Sequence, residues 1–312
     1  MRITKPTLRT LWSVFVALGS MLIASTSSAA SAGDEPRDKI VISGASGQLG
    51  QLVVRDLLAR GVPASDLILV SRTPEKLAEF EKLGASTRFG DFTKPESLPA
   101  AYAGGTKMLL ISIGFDAGPR PEAHKRAVDA AVAAGIEHIV YTSFVAISKG
   151  DRTGLASDHF RTEEIIKESG AAWTMLRNSI YANGLVQQAA KMLADGKVAV
   201  SDSDVRIGYV TREDCAAAAA AALSSPSHEN KVYDITGPEL IGPREIAAAA
   251  SAVAGKPIEL TTADPSAPAS RGFGGPSFAV VSDDFAKLTG RPATSVRALF
   301  DAHRDVLMGT SK

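Results

Sequence analysis

The residues Gly44-Ala45-Ser46-Gly47-Gln48-Leu49-Gly50 stand between a short apolar run, Lys39-Ile40-Val41-Ile42-Ser43, and a stretch patterned as an amphipathic helix. Glycines in a strand-to-helix turn leave backbone N–H groups bare, and the helix that follows adds the positive end of its dipole. The chemistry such a loop can do is to hold an anion, a pyrophosphate above all. Gly44 lets the chain turn off the strand, Gly47 removes the Cβ that would block a phosphate, and Gly50 lets the helix pack close to the sheet. The spacing is Gly-x-x-Gly-x-x-Gly, not the Gly-x-Gly-x-x-Gly of many dehydrogenases. A glycine-rich turn without a ligand is the plainer reading of the same residues.

A second strand, Leu67-Ile68-Leu69-Val70-Ser71, ends at Arg72-Thr73-Pro74-Glu75-Lys76. An acid at this point would hydrogen-bond the ribose 2′-OH of NAD, whereas an arginine suits the 2′-phosphate of NADP. No acid lies between Leu67 and Pro74, and Arg72 and Lys76 supply positive charge. A guanidinium grips a phosphate through two parallel hydrogen bonds, so Arg72 is the stronger candidate. NADP(H) is therefore favoured over NAD(H), with a solvated basic loop as the alternative.

These residues need a scaffold, and the chain reads as one. Further strand-like runs are Ser86–Phe89, Met108–Ser112, His138–Thr142 and Trp173–Leu176, with helices near Gln48–Arg60, Glu75–Leu83, Glu122–Ala134 and Asp158–Ser169. Such β-α alternation with apolar strands specifies an α/β fold, a Rossmann-type doubly wound parallel sheet that binds ligands at its carboxyl edge. The expected division is a leader over 1–32, a nucleotide-binding domain over 33–177 and a smaller C-terminal substrate lobe over 178–312. Segments around 205–235 are expected to return to the main sheet. Asn178–Ala199 reads as mostly helical, Val205–Val210 and Val232–Ile235 as strands, Thr211–Leu223 as a helix capped at Thr211, and Pro243–Ala254 as a helix ended by Gly255. Glu213 and Asp214 fall in the first turn of the Thr211 helix, where acids complement the dipole. Ala263–Ser277, rich in Pro, Gly and Ser, reads as a loop over a pocket or as a linker.

Composition is that of a globular chain: 312 residues, 45% hydrophobic and 22% charged. The 34 basic and 34 acidic residues balance, and no basic run points to nucleic acid. A lone cysteine, Cys215, allows no internal disulfide, and His124, His138, His159, His228 and His303 lack metal-ligand spacing. Arg2, Lys5 and Arg9, the apolar stretch Leu11–Ala24 and the small residues ending in Ala30-Ser31-Ala32 form an export leader cleaved after Ala32. The mature protein is thus expected to be exported, to the periplasm, with no membrane span once the leader is gone; an uncleaved anchor and a cytoplasmic protein are the alternatives. A small-molecule partner and a monomer or homodimer are expected.

Short-chain dehydrogenases carry a Tyr-x-x-x-Lys pair that moves a proton to or from a carbonyl. None of Tyr102, Tyr141, Tyr181, Tyr209 and Tyr233 has a lysine four residues on; aligned on Glu163, the expected pair falls at Leu155 and His159. The chain from about Lys39 to His303 resembles the NmrA-like atypical short-chain dehydrogenases, in particular their NAD(P)H:quinone oxidoreductase branch. The resemblance rests on Gly44–Gly50, Arg72, Tyr141-Thr142-Ser143, Gly154-Leu155-Ala156 with Asp158-His159, Leu176-Arg177-Asn178, Thr211-Arg212-Glu213-Asp214 and Leu288-Thr289-Gly290-Arg291-Pro292. It implies Ser46, Gln48 and Leu49 in a phosphate loop, Arg72 at the 2′-phosphate, and Asp91 and Phe92 near adenine. It also implies Ser112 and Ile113 along the ribose–nicotinamide channel, Thr142, Ser143 and Phe144 beside the nicotinamide, and Asn178 and Tyr181 bordering the substrate pocket.

The activity expected from that resemblance is hydride transfer from NADPH to a quinone or similar conjugated acceptor, with His159 or Tyr181 donating a hydrogen bond to the developing oxyanion. Asp91 reads equally as a helix N-terminal acid, and His159 as a helix-surface residue. A dinucleotide-sensing protein without turnover is the alternative function, and a nucleotide-sugar isomerase is disfavoured by the missing Tyr–Lys pair.

Overall fold

The computed structural model describes residues 38–114, 118–145, 147, 154–201, 204–264 and 278–310. The leader and most of the Ala263–Ser277 loop lie outside them. The apolar runs form β1 (Ile40–Ser43), β2 (Leu67–Ser71), β3 (Ser86–Phe89), β4 (Lys107–Leu110), β5 (His138–Phe144) and β6 (Ala172–Asn178). The short β7 (Lys197–Val200), β8 (Lys231–Ile235) and β9 (Glu259–Thr262) follow. Between them lie α1 (Gln48–Ala59), α2 (Ala78–Lys82), α3 (Leu98–Tyr102), α4 (Arg120–Ala133), α5 (Gly154–Lys167), α6 (Leu185–Asp195), α7 (Arg212–Ser224) and α8 (Pro243–Ala254). The chain closes with α9 (Asp284–Thr289), α10 (Val296–Ala302) and α11 (Arg304–Leu307).

The main sheet runs β3-β2-β1-β4-β5-β6-β8, with every neighbouring pair parallel. Its strands divide their side chains between two cores, as period-two geometry requires. Ile40, Ile42, Leu67, Leu69, Leu109, Val140 and Leu176 face α1 and α7, while Val41, Ile68, Val70, Met108, Leu110, Ile139, Tyr141 and Met175 face α3, α4 and α5. Burial on both faces is why the strands read as nearly unbroken apolar runs. Each such aliphatic side chain contributes on the order of 1.5–3 kcal/mol of burial. The strand order reverses between β1 and β4, which opens a crevice at the carboxyl edge above the glycine loop.

Beyond β6 the chain builds a third core from Leu185, Val186, Ala189 and Met192 of α6, Ile246, Ala247, Ala250 and Val253 of α8, and Val296, Leu299 and Phe300 of α10. Several expectations need correction here. Asn178–Ala199 is mostly helical as expected, through the turn Ala182–Gly184 and α6, but its two ends are strand, β6 running through Asn178 and β7 beginning at Lys197. Val205–Val210 forms no strand and does not join the main sheet, because its ladder contacts are split, Ile207 bridging Ile241 and Val210 bridging Tyr181. Only Lys231–Ile235 returns to the sheet, beside β6. Pro74 opens a 3-10 turn over Pro74–Leu77, which delays α2 to Ala78. The β7–β9 pair and α3 escape the sequence reading because the two strands are four residues each and mostly exposed, and the helix carries Pro99. Among the described residues, no helix is long and apolar enough to cross a membrane.

Candidate active site

The glycine loop is hooked to the second strand. The N–H groups of Gly44 and Ala45 both donate to the Val70 carbonyl, at 3.0 Å each, and Gly44 reaches this position with φ of +85°, a conformation L side chains rarely adopt. A Cβ on Gly50 would strike the Gly44 carbonyl and the Ala45 backbone. The third glycine therefore lets α1 close over the loop itself rather than over the sheet. Gly47 is the N-cap of α1 and offers no side-chain cap, and the first turn holds no acid. The N–H groups of Gln48, Leu49 and Gly50 are thus left at a positive helix end, as an anion site requires. Leu49 contributes backbone only, since its side chain belongs to the core. Ser46 ties the loop to the end of β2 through a 2.6 Å hydrogen bond between its Oγ and that of Ser71, and Gln51 braces it by donating to the Ser46 carbonyl at 3.0 Å.

At the end of β2, Arg72 and Lys76 are exposed. Arg72 lies near enough to Asp91 for its charge to act on that carboxylate. Partial burial raises the Asp91 pKa, but hydrogen bonds from Thr93 and the charges of Arg72 and Lys94 outweigh it and hold the group below the usual carboxylate range. Asp91 Oδ1 accepts from Thr93 N–H at 2.9 Å and from Thr93 Oγ1 at 2.8 Å, so it closes a turn rather than capping a helix. Phe92 departs from expectation. Its ring is buried in the core that faces α4, edge-on to His124 at 6.2 Å, so it gives no adenine contact from its side chain. The aromatic ring exposed at this edge is Phe89, with Lys94 Nζ 5.8 Å from its centroid.

At the ends of β4 and β5 the backbone is pinned by side chains. Ser112 N–H donates to Thr142 Oγ1 at 2.9 Å, and Ile113 N–H donates to His124 Nε2 at 3.1 Å. Ser143 is a second correction. Strand alternation turns its hydroxyl to the α5 face, where it donates to Glu163 Oε1 at 2.7 Å. Glu163 is fully buried and held by Arg177 at 2.9 and 2.8 Å. Only the backbone of Ser143 is left to border the crevice. Phe144, half-buried, ends the strand.

His159 is 4% exposed and is no surface residue. Its ring stacks on Phe144 at 5.7 Å, its Nδ1 lies 2.8 Å from the Tyr141 hydroxyl, and its Nε2 lies 3.3 Å from Arg120 Nη2. A guanidinium can only donate, so Nε2 accepts and the proton sits on Nδ1, directed to Tyr141. Burial, then the charge of Arg120, push the His159 pKa well below its ordinary value, which keeps the ring neutral. His124 obeys the same logic: Nε2 accepts from Ile113 N–H, so Nδ1 donates to Thr162 Oγ1 at 2.9 Å, and burial lowers its pKa to about 3. With both ring nitrogens engaged, His159 does not offer the free donor expected of it.

Asn178 is buried at the end of β6, opposite Phe144 in the ladder. Tyr181 lies just beyond, with Arg212 5.0 Å from the ring centroid. Burial raises the Tyr181 pKa, so the phenol stays protonated and can donate. The sequence reading missed Arg120, Tyr141, Thr162 and Phe278. Arg120 had a signal, since Pro119-Arg120-Pro121 sets a cation at the positive end of a helix, an arrangement that needs a local reason.

Comparison with known proteins shows the family to which this fold belongs. The profile of a family described as NAD(P)H-binding matches residues 44–226. Quinone oxidoreductase 2 of Escherichia coli (strain K12) is 35% identical over 219 residues, 70% of this chain and 76% of that protein. NAD(P)H azoreductase of Xenophilus azovorans is 28% identical over 283 residues, 85% of this chain and 97% of that protein. Among solved structures, an NADPH-dependent quinone oxidoreductase of Escherichia coli complexed with NADPH superposes with a TM-score of 0.73, at 32% identity, over 85% of this chain and 99% of that one. The triphenylmethane reductase of Citrobacter sp. complexed with NADP(H) gives 0.74 at 29% identity, over 88% and 100%.

Proposed function

The chain belongs to the NAD(P)H-binding, NmrA-like group of atypical short-chain dehydrogenases and is an NAD(P)H-dependent oxidoreductase; from that premise we propose that it uses NADPH in preference to NADH and reduces a quinone or similar conjugated acceptor. The observation that carries this reading is the open N-terminus of α1, without capping side chain or acid, beside the exposed Arg72. The relatives' names, a quinone oxidoreductase, an azoreductase and a triphenylmethane reductase, support a conjugated acceptor.

When bound, the dinucleotide supplies the hydride. The backbone of Gln48, Leu49 and Gly50 holds its pyrophosphate, and Arg72, assisted by Lys76, holds the 2′-phosphate. Asp91 borders the adenine, while the pinned backbone at Ser112, Ile113, Thr142 and Ser143 borders the nicotinamide end. Asn178 and Tyr181 border the acceptor. A quinone already accepts hydride readily, so alignment supplies most of the rate, and the protonated phenol of Tyr181 donates to the oxyanion that develops. His159 acts through Phe144, the ring stacked on it, rather than as the donor.

The test is a stopped-flow measurement of NADPH and NADH oxidation by the chain starting at Gly33, against a panel of quinones. Quinone-dependent turnover with a lower KM for NADPH is expected. Tight binding of both nucleotides with no turnover on any quinone would replace this reading by a sensor. The export leader is part of the same reading. N-terminal sequencing of protein recovered from the host should begin at Gly33, and recovery of an intact Met1 from the cytoplasm would overturn it.

A further inference from the structure

Resting on that reading, we propose that Phe144 and Phe278 form the face that selects the acceptor, a fixed aromatic corner that favours fused planar rings over a single ring. The two rings come from positions far apart in the chain and meet at 5.3 Å with an interplanar angle of 60°. Both are only partly buried, so each keeps an open surface. The corner is held from two sides. Behind Phe144, the His159 ring stacks at 25°, itself fixed by Tyr141 and Arg120. Beyond Phe278, the chain is tied across the sheet edge where Ser282 N–H donates to Thr236 Oγ1 at 2.9 Å and Asp284 Oδ2 accepts from Asp234 N–H at 3.0 Å.

A second observation places a ligand here. Asn178, in the ladder position opposite Phe144, has a buried Oδ1 with no hydrogen-bond partner among the described residues. A buried polar atom is rarely left so unless a ligand or water completes it. Two rings meeting at an angle offer a flat ligand one stacked and one edge contact, which a fused two-ring system fills and a single ring does not.

The test compares a naphthoquinone with a benzoquinone on the wild-type chain and on Phe278→Ala and Phe144→Leu. KM for the naphthoquinone should rise about tenfold in either variant, and KM for the benzoquinone about twofold; in Phe278→Ala, which lies away from the expected nicotinamide position, kcat should be nearly unchanged and the NADPH dissociation constant as in the wild type. Equilibrium dialysis of the naphthoquinone should show the same loss without turnover. Equal changes for both quinones, no change, or a shift in the NADPH affinity of Phe278→Ala would overturn the corner while leaving hydride transfer to quinones intact. His159 is a positioning residue in this account. His159→Ala should copy Phe144→Leu in KM, and His159→Phe, which keeps a ring behind Phe144, should restore it. A fall in kcat alone in both His159 variants would overturn that role. Phe278 lies at the rim, so its variant answers the question even where a His159 variant fails to fold.

Discussion

Two helices packed on each other under the same face of the sheet, α1 and α7, end their N-termini in opposite ways. At α7, Thr211 Oγ1 accepts from Asp214 N–H at 3.0 Å, Asn183 Oδ1 accepts from Arg212 N–H at 2.8 Å, and Glu213 and Asp214 stand in the first turn. At α1 the cap is a glycine, no side chain caps, and the first turn holds no acid. Both ends carry the same unsatisfied donors and the same dipole. The protein completes one end from its own side chains and leaves the other for an anion from outside. A helix end becomes a site by what is withheld from it.

The largest effect that can test this contrast falls on the closed end. Asp214 is fully buried, accepts from Thr294 N–H at 2.7 Å and pairs with Arg291 at 2.8 Å, so it joins α7 to the segment after α9. Asp214→Ala removes the acceptor but leaves the donors, and should lower stability by about 3 kcal/mol in urea denaturation. The folded fraction should still bind NADPH with wild-type affinity. A loss of affinity at unchanged stability would mean that the closed end is also a ligand site.

Next comes the reverse experiment, closing the open end. Gly47 has φ of −72° and ψ of 164°, extended backbone that any residue adopts, and a Cβ there meets the Gly44 carbonyl at 3.3 Å, so Gly47→Asp can supply the missing cap once the loop gives by a few tenths of an ångström. The carboxylate would take the N–H groups meant for the pyrophosphate. NADPH affinity should fall at least about a hundredfold, while the melting temperature changes little, since a good cap contributes about 1 kcal/mol and offsets the tight contact with the Gly44 carbonyl. Unchanged affinity by fluorescence titration would break the comparison. A smaller effect is expected from Arg72→Ala, which removes charge beside the open end but not the end itself. NADPH affinity should drop about tenfold and NADH affinity should not, as measured by the ratio of their KM values. Equal losses for both would place Arg72 away from the 2′-phosphate.

The difference between the two ends was itself legible before the structure, because it is local. Thr211 with Glu213 and Asp214 reads as a cap, and Gly44–Gly50 reads as its absence. The bounds of β2 and β3 were legible for the same reason, as were the ends of α8 at Pro243 and Gly255. What was hidden depends on which way a side chain turns or on distant partners. Phe92 and Ser143 lie where expected along the chain, but strand and turn geometry directs one ring into the core and one hydroxyl to Glu163. The contact of His159 with Arg120 joins positions 39 residues apart, and that of Phe144 with Phe278 joins two segments with no shared pattern. Hydrophobic periodicity has no access to such pairings.

The smallest effect gives the sharpest control. Thr211→Ala removes the side-chain cap of α7 while Asn183, Glu213 and Asp214 remain. Thr211 is buried, so the loss should be about 1–2 kcal/mol, less than for Asp214→Ala because one donor is orphaned rather than an ion pair broken. Thr211→Ser keeps the oxygen and should recover most of that loss. Thr211→Gly should sit between them, since the lost side chain lets water reach the N–H groups that are buried in the wild type. If α7 ends as a ligand site would, the glycine variant should gain affinity for inorganic phosphate by equilibrium dialysis. The acid Glu213 argues that it gains none, because Asp214 is paired with Arg291 and a remaining carboxylate in the first turn outweighs the roughly half charge of the helix end. An open cap is then necessary but not sufficient, and the missing acids of α1 count for as much as its glycine.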